Sequence, residues 1–197
     1  NIAPAQPVAI VRNADNVRRE LALMRWGLIP SCAQDPRKFR MMINARSETA
    51  TEKTSFRAAM RHRRCLIPTD GFYEWTGATG DKRPHLVRPI AGGTVGMAGI
   101  YECWQGADGS EMESMAILTT AANQSMSILH DRMPVIIPQE HFNAWLDCSS
   151  GSAEGILALL HSPPEGLLEI VEVSRKLNNP RHEGAEVQEP VSTSSLL

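Results

Sequence analysis

Glu74 and His130 are the residues best suited to move protons. Glu74 sits in GFYEW, between aromatic side chains and close to a glycine. A carboxylate on such an apolar strand either pairs with a cation or works as an acid or base, and desolvation raises its pKa toward the useful range. His130 and Asp131 precede Arg132, Met133 and Pro134. A histidine before a rigid proline can present its ring to a cleft, and imidazole titrates near neutrality; hydrogen bonding to the local backbone is the plainer use. Asn44 and Arg46 flank Ala45. On a strand they would share one face, where an amide beside a guanidinium suits an anionic ligand such as phosphate. Trp26 in RWG and Trp75 in GFYEW offer flat surfaces for stacking on bases, or else belong to a core. These residues describe a polar cleft with aromatic walls. By themselves they do not name a reaction.

The surrounding chain sets bounds on that cleft. Its 197 residues suffice for one sizeable core, and 42% hydrophobic with 21% charged residues is ordinary globular composition. No apolar run reaches eighteen residues, so no membrane span is predicted. No charged-then-apolar leader opens the sequence, which points to an intracellular, cytoplasmic setting. Cys32, Cys65, Cys103 and Cys148 are scattered without a CxxC pair, so they are expected to be reduced and mostly buried. His62 and Cys65 could begin a metal site, but no second ligand pair follows; no metal or cofactor is predicted. The net charge of −2 argues against a protein that coats nucleic acid generally. A local basic patch remains in Arg57, Arg61, Arg63 and Arg64 around His62, either a recognition patch or a solvated helix face.

The elements that must position these residues are mostly strands. Val8–Val11, Glu20–Ile29, the stretches HLVRPIAG, TVGMAGIYECW and MESMAILTTAAN, and Leu167–Val173 read as strands between turn signals. Met41–Ala45 is a short apolar stretch leading into Arg46. CLIPTDGFYEWTG carries Pro and Gly within an apolar pattern and predicts a bent strand or strand–loop–strand. SETATEKTSFRAAMRHRR reads as a helical region, with Ser55 capping its last part. Gln139–Leu146 and Ala153–Leu160 read as helices. The predicted fold is α+β: one domain over residues 1–190, a curved, mostly antiparallel sheet or open barrel with a few helices, followed by a loose tail at 191–197.

Taken in order, RWGLIP, INARSET, RRCLIPTDGFYEW, TTAAN and LHDRMPVIIP resemble the SOS response-associated peptidase family, also known as abasic-site processing proteins. The resemblance runs from NIAP at the start to NNPR at Asn178–Arg181. It implies a protein that acts on abasic sites in single-stranded DNA as a monomer. In that family the initiator methionine is self-removed and the exposed cysteine attacks the ring-opened aldehyde. The amine forms a Schiff base and the thiol closes a thiazolidine crosslink. An α-amine, with a pKa of about 8, keeps a nucleophilic neutral fraction at pH 7 that a lysine does not. The resemblance assigns Asn44 to hold the cysteine and opened sugar. Glu74 would shuttle protons, and His130 would protonate the sugar oxygen. Arg46 and Arg132 would contact phosphates, and Trp26, Trp75, Pro4 and Thr119 would line the surface that splays the strand.

Two departures qualify the resemblance. The family's MCGR segment is not in this sequence, so the chain beginning at Asn1 is expected not to crosslink by itself. Cys32 follows IPS where the family usually carries tryptophan. Two other readings compete: a non-catalytic single-stranded DNA-binding module, and a cysteine peptidase using Cys32 or Cys65 with His130.

Overall fold

A computed structural model describes residues 1–15, 18–149 and 153–191. Alternating apolar side chains draw Pro7–Asp15 (β1) and Arg18–Trp26 (β2) into an antiparallel hairpin. After a loop containing two prolines, Asn44–Arg46 forms a short strand, β3. The region predicted helical holds two short helices, Ser47–Ala50 (α1) and Arg57–His62 (α2), with turns between them. Threonine and serine compete locally for backbone hydrogen bonds there, which disfavours a continuous helix. Ser55 does not cap α2; the N-cap position is Phe56, without a side-chain hydrogen bond. The predicted apolar face does hold, since Phe56, Ala59 and Met60 are all buried.

Arg64–Thr69 (β4) and Phe72–Thr76 (β5) are the expected strand–loop–strand. Arg83–Pro89 (β6), Val95–Gln105 (β7) and Glu111–Ala121 (β8) follow. The loop after β8 contains a 3-10 turn at Met126–Ile128 and leads to Arg132–Pro134 (β9) and Ile136–Ile137 (β10). Phe142–Leu146 (α3) is helical, whereas Glu154–Leu159 is 3-10 rather than the expected helix. Leu168–Glu172 (β11) is the last strand. Of the predicted tail, Val191 donates its N–H to the Glu172 carbonyl at 2.9 Å; residues 192–197 lie outside the described residues.

Strands β7, β4, β1, β2 and β8 pair in that order, and β8 pairs back onto β7, closing a five-stranded barrel. The barrel is mixed: β2 runs parallel to β8, as does β3. Val8, Ile10, Met24, Cys65, Ile67, Met97 and Met115 fill its interior. Leu66, Ala98, Ile100, Ala116 and Leu118 point outward and are covered by Phe56, Met60, Trp145 and Leu146 from α2 and α3. Strands buried on both faces read as continuous apolar runs, as in CLI of β4. Arg12 closes one end of the barrel: Nε meets Glu20 at 2.5 Å, Nη1 meets Glu113 at 2.7 Å, and the guanidinium lies 5.2 Å from the Tyr101 ring centre.

A second sheet, ordered β11-β6-β5, stands beside the barrel. Phe72, Val87 and Ile170 on one face pack with Met126 and Met133 from the loop after β8 and from β9. Tyr73, Leu86 and Val171 on the other face pack against Val173, Leu177 and Val187. Gly71 makes the bend between β4 and β5 possible: a β-carbon there would stand 2.7 Å from the Val87 carbonyl oxygen.

The basic patch does not survive folding intact. Arg64 is 2% exposed and donates to the carbonyls of Trp145 (2.7 Å), Met60 (2.8 Å) and Asp147. Arg63 pairs with the buried Glu102 at 2.7 Å. Only Arg57 and Arg61, with His62, remain exposed. The cysteines differ from expectation too: Cys65 is buried, Cys103 and Cys148 are half-buried, and Cys32 is exposed.

Candidate active site and nucleic-acid interface

The barrel end opposite Arg12 gathers most of the predicted residues. Trp26 ends β2 with its ring against the interior cluster, and its indole N–H donates to the Ile43 carbonyl at 3.0 Å. That bond ties the barrel rim to the residue just before Asn44. Residues 3–6 make a tight turn in which Ala5 takes φ +74°, uncommon outside glycine, and its N–H donates to the Trp26 carbonyl at 2.8 Å. The exposed Pro4 is thereby held at the tip of a turn fastened to Trp26.

Strand β8 carries the other half. On one flank β3 aligns Asn44 with Ile117 and Arg46 with Thr119. Asn44 and Arg46 are both exposed while Ala45 between them is buried, so they share the outer face as their spacing predicts. On the other flank β9 aligns Thr119 with Pro134 and Ala121 with Arg132. Arg132 reaches back across β8: Nη1 and Nη2 meet the Glu48 carboxylate at 2.6 and 2.8 Å, and Nη2 donates to the Thr119 carbonyl at 2.5 Å. Arg132 is therefore a brace between β9, β8 and α1 rather than an uncommitted phosphate ligand. Arg46 is exposed and forms no ion pair among the described residues, so its guanidinium is open to solvent at this rim.

Glu74 is half-buried on β5. It shares a face of β5 with Phe72, which packs against Met126 and Met133, so its carboxyl points toward the loop that carries His130. Burial pushes the Glu74 carboxyl above the ordinary carboxylate range, opposed by the nearby His130. The His130 ring is half-exposed. Its Nδ1 accepts the Arg132 backbone N–H at 2.9 Å, while Asp131 Oδ1 lies 3.0 Å from the same nitrogen. The two contacts are exclusive, since the first needs a lone pair and the second a proton. The backbone bond governs the neutral ring, because the Asp131 carboxylate is 85% exposed and weakened by solvent. Neutral His130 then carries its proton on Nε2.

Trp75 is the residue that does not join Glu74. Alternation sends it to the opposite face of β5, where its indole N–H donates to Asn178 Oδ1 at 2.8 Å and its ring lies 6.4 Å from Tyr73. It stays 37% exposed there. Cys65 is unsuited to nucleophilic attack: it lies inside the barrel with its thiol pushed far up by burial. His62 is exposed at the end of α2 while Cys65 points inward, so the two do not converge on a metal.

The family model of the SOS response associated peptidase (SRAP) matches residues 1–180. The chain belongs to the SRAP family. It is 37% identical over 188 residues to the abasic site processing protein YoaM of Bacillus subtilis, covering 95% of this chain and 82% of that protein. The abasic site processing protein HMCES of Xenopus tropicalis is 33% identical over 198 residues, covering 89% of this chain and 58% of HMCES. A crystal structure of a protein from Bacteroides thetaiotaomicron superposes with a TM-score of 0.84 at 28% identity, covering 95% of this chain and 82% of that one.

Two polar residues of this SRAP chain escaped the sequence reading. Glu48, within INARSET, is the carboxylate that anchors Arg132. His85 lies in RPHLVRP and is the cross-strand partner of Glu74. Period-two alternation was the available signal for His85, because it shares parity with the buried Val87.

Proposed function

We propose that this SRAP protein processes abasic sites in single-stranded DNA by covalent capture through an amino-terminal cysteine, in the cell's response to DNA damage. The observation that carries the reading is the facing pair of a desolvated carboxyl, Glu74, and a histidine, His130, whose neutral tautomer is set by the Arg132 N–H. A carboxyl raised by burial is suited to give and take protons, as Schiff-base formation requires. The Nε2 proton of His130 suits donation to the departing ring oxygen of the sugar. Asn44 holds the nucleophile and the opened sugar, and Arg46 takes the adjacent phosphate. Pro4, Trp26 and Thr119 form the rim over which the strand is splayed. Trp75 stacks on a flanking base from the other face of β5, outside the proton-transfer centre. The names of YoaM and HMCES as abasic site processing proteins support this substrate class. The amino-terminal peptidase step would use the same Glu74. The protein acts as a monomer, with residues 1–190 as one unit.

The test is incubation with a single-stranded oligonucleotide bearing one abasic site, followed by denaturing electrophoresis. The protein bearing a cysteine as its amino-terminal residue should yield a heat-stable adduct, and the same protein with that cysteine replaced by alanine should not. An adduct from the latter would overturn the role of the amino-terminal cysteine. Arg46→Ala should weaken DNA binding and lower the slope of log affinity against log salt by about 1. Equal affinity for intact and abasic strands, with no adduct from either protein, would instead mark a binding module.

A further inference from the structure

The small sheet carries a row of three titratable residues. Strand register pairs Glu74 on β5 with His85 on β6, and His85 with Glu172 on β11. All three share the face on which Phe72, Val87 and Ile170 meet the loop of His130. His85 is 9% exposed. Its Nε2 lies 4.0 Å from Glu172 Oε2, and Arg83 Nη1 lies 3.7 Å from the same oxygen. Its Nδ1 is buried without a hydrogen-bond partner among the described residues. Thr76 Oγ1, two residues beyond Glu74 on that face, is likewise buried and unpaired. Buried polar atoms are nearly always paired, so an unpaired imidazole nitrogen beside a carboxyl calls for a role.

We propose that His85 is a positioning residue for Glu74: the Glu172 carboxylate holds the His85 proton on Nε2, and the free Nδ1 accepts a hydrogen bond from the protonated Glu74 carboxyl. Directly opposed residues place their β-carbons about 5 Å apart, so the two side chains lie side by side on the same face of the sheet. The groups facing Glu74 are then His85 and Arg83 on β6, Glu172 on β11 and His130 on the loop before β9. His130 opposes the acid form and His85 supports it, so the carboxyl is poised between the two rings. The inference rests on the acid–base role of Glu74 proposed above and deepens it.

Nuclear magnetic resonance of the carboxyl carbons of glutamate in the full chain tests it without DNA, so its outcome is independent of the crosslinking assay. In His85→Leu the Glu74 midpoint should fall by about one pH unit, and His85→Asn, which keeps an acceptor near the Nδ1 position, should restore most of it. A Glu74 midpoint that moves by less than about 0.3 unit in His85→Leu overturns the proposal. Nitrogen shifts of His85 in the unmutated chain give a second readout that needs no variant to fold. The Nε2–H tautomer is expected, and a Nδ1–H tautomer overturns the proposal. In the protein bearing an amino-terminal cysteine, the acid limb of the crosslinking rate should move with the Glu74 midpoint.

Discussion

Arg132 holds both carboxylate oxygens of Glu48, at 2.6 and 2.8 Å, while its Nη2 also donates to the Thr119 carbonyl. One guanidinium thus fastens β9 and α1 across the end of β8, and the rim bearing Arg46 and His130 is set by that fastening. The bidentate geometry fixes direction as well as distance.

The Glu48 carboxyl is held below the ordinary range, chiefly by its hydrogen bond from Arg132. A lowered folded-state pKa contributes stability above the unfolded value of about 4.3 and loses it as pH falls through the folded value. Because Glu48 is 48% exposed, solvent screening limits the contribution to about 1 kcal/mol or less. Glu48→Gln should therefore melt below the unmutated protein at pH 7, and the gap should close in strong acid. Parallel melting curves across that range would show that the pair does not stabilise the fold.

Glu74 behaves in the opposite sense. Burial raises its carboxyl pKa, so the stability it contributes is present below the ordinary carboxylate value and lost as pH rises through the folded value. Above the folded value the ionised form is a cost to the fold, a common feature of working sites. Glu74→Gln should raise the melting temperature at pH 7 and leave it nearly unchanged near pH 4, while slowing adduct formation in the protein bearing an amino-terminal cysteine. Calorimetry at the two pH values decides the point. A Glu74→Gln protein that melts lower at pH 7 would mean that the carboxylate is stabilised by its surroundings.

Arg64 is a structural cation, not part of a DNA-binding patch. Its guanidinium reaches four carbonyls, those of Met60, Arg61, Trp145 and Asp147, at the junction of α2, β4 and α3, and burial lowers its pKa. Arg64→Met leaves those acceptors unpaired and should cost about 3 kcal/mol by urea denaturation. Arg57→Ala and Arg61→Ala, on the exposed face of α2, should each change stability by less than about 0.5 kcal/mol. If Arg64→Met unfolds at the same urea concentration as the unmutated protein, the buried network is not supporting the fold.

Much was legible in the residues alone. Alternation placed most strands, the Pro and Gly of CLIPTDGFYEW marked the break between β4 and β5, and the spacing of Asn44 and Arg46 put both on one face. The same alternation separates Trp75 from Glu74, although the motif GFYEW invites reading them together. Other relationships were out of reach. Arg64 and Arg57 look alike in a run of arginines, and only the arrival of α3, some eighty residues later, buries one of them.

The sequence by itself determined the motifs, their order, the α+β class and the family, because these depend on residue type and local periodicity. The tertiary structure decided which charges are spent and which remain. Closing β8 onto β7 and laying β9 beside β8 bring Arg132 to Glu48, and the register of β5 on β6 brings His85 to Glu74. Arg132 and Glu48 lie 84 residues apart in the chain, and the Glu74–His85 pairing depends on the exact register of β5 on β6, so residue type and local periodicity alone do not name these partners.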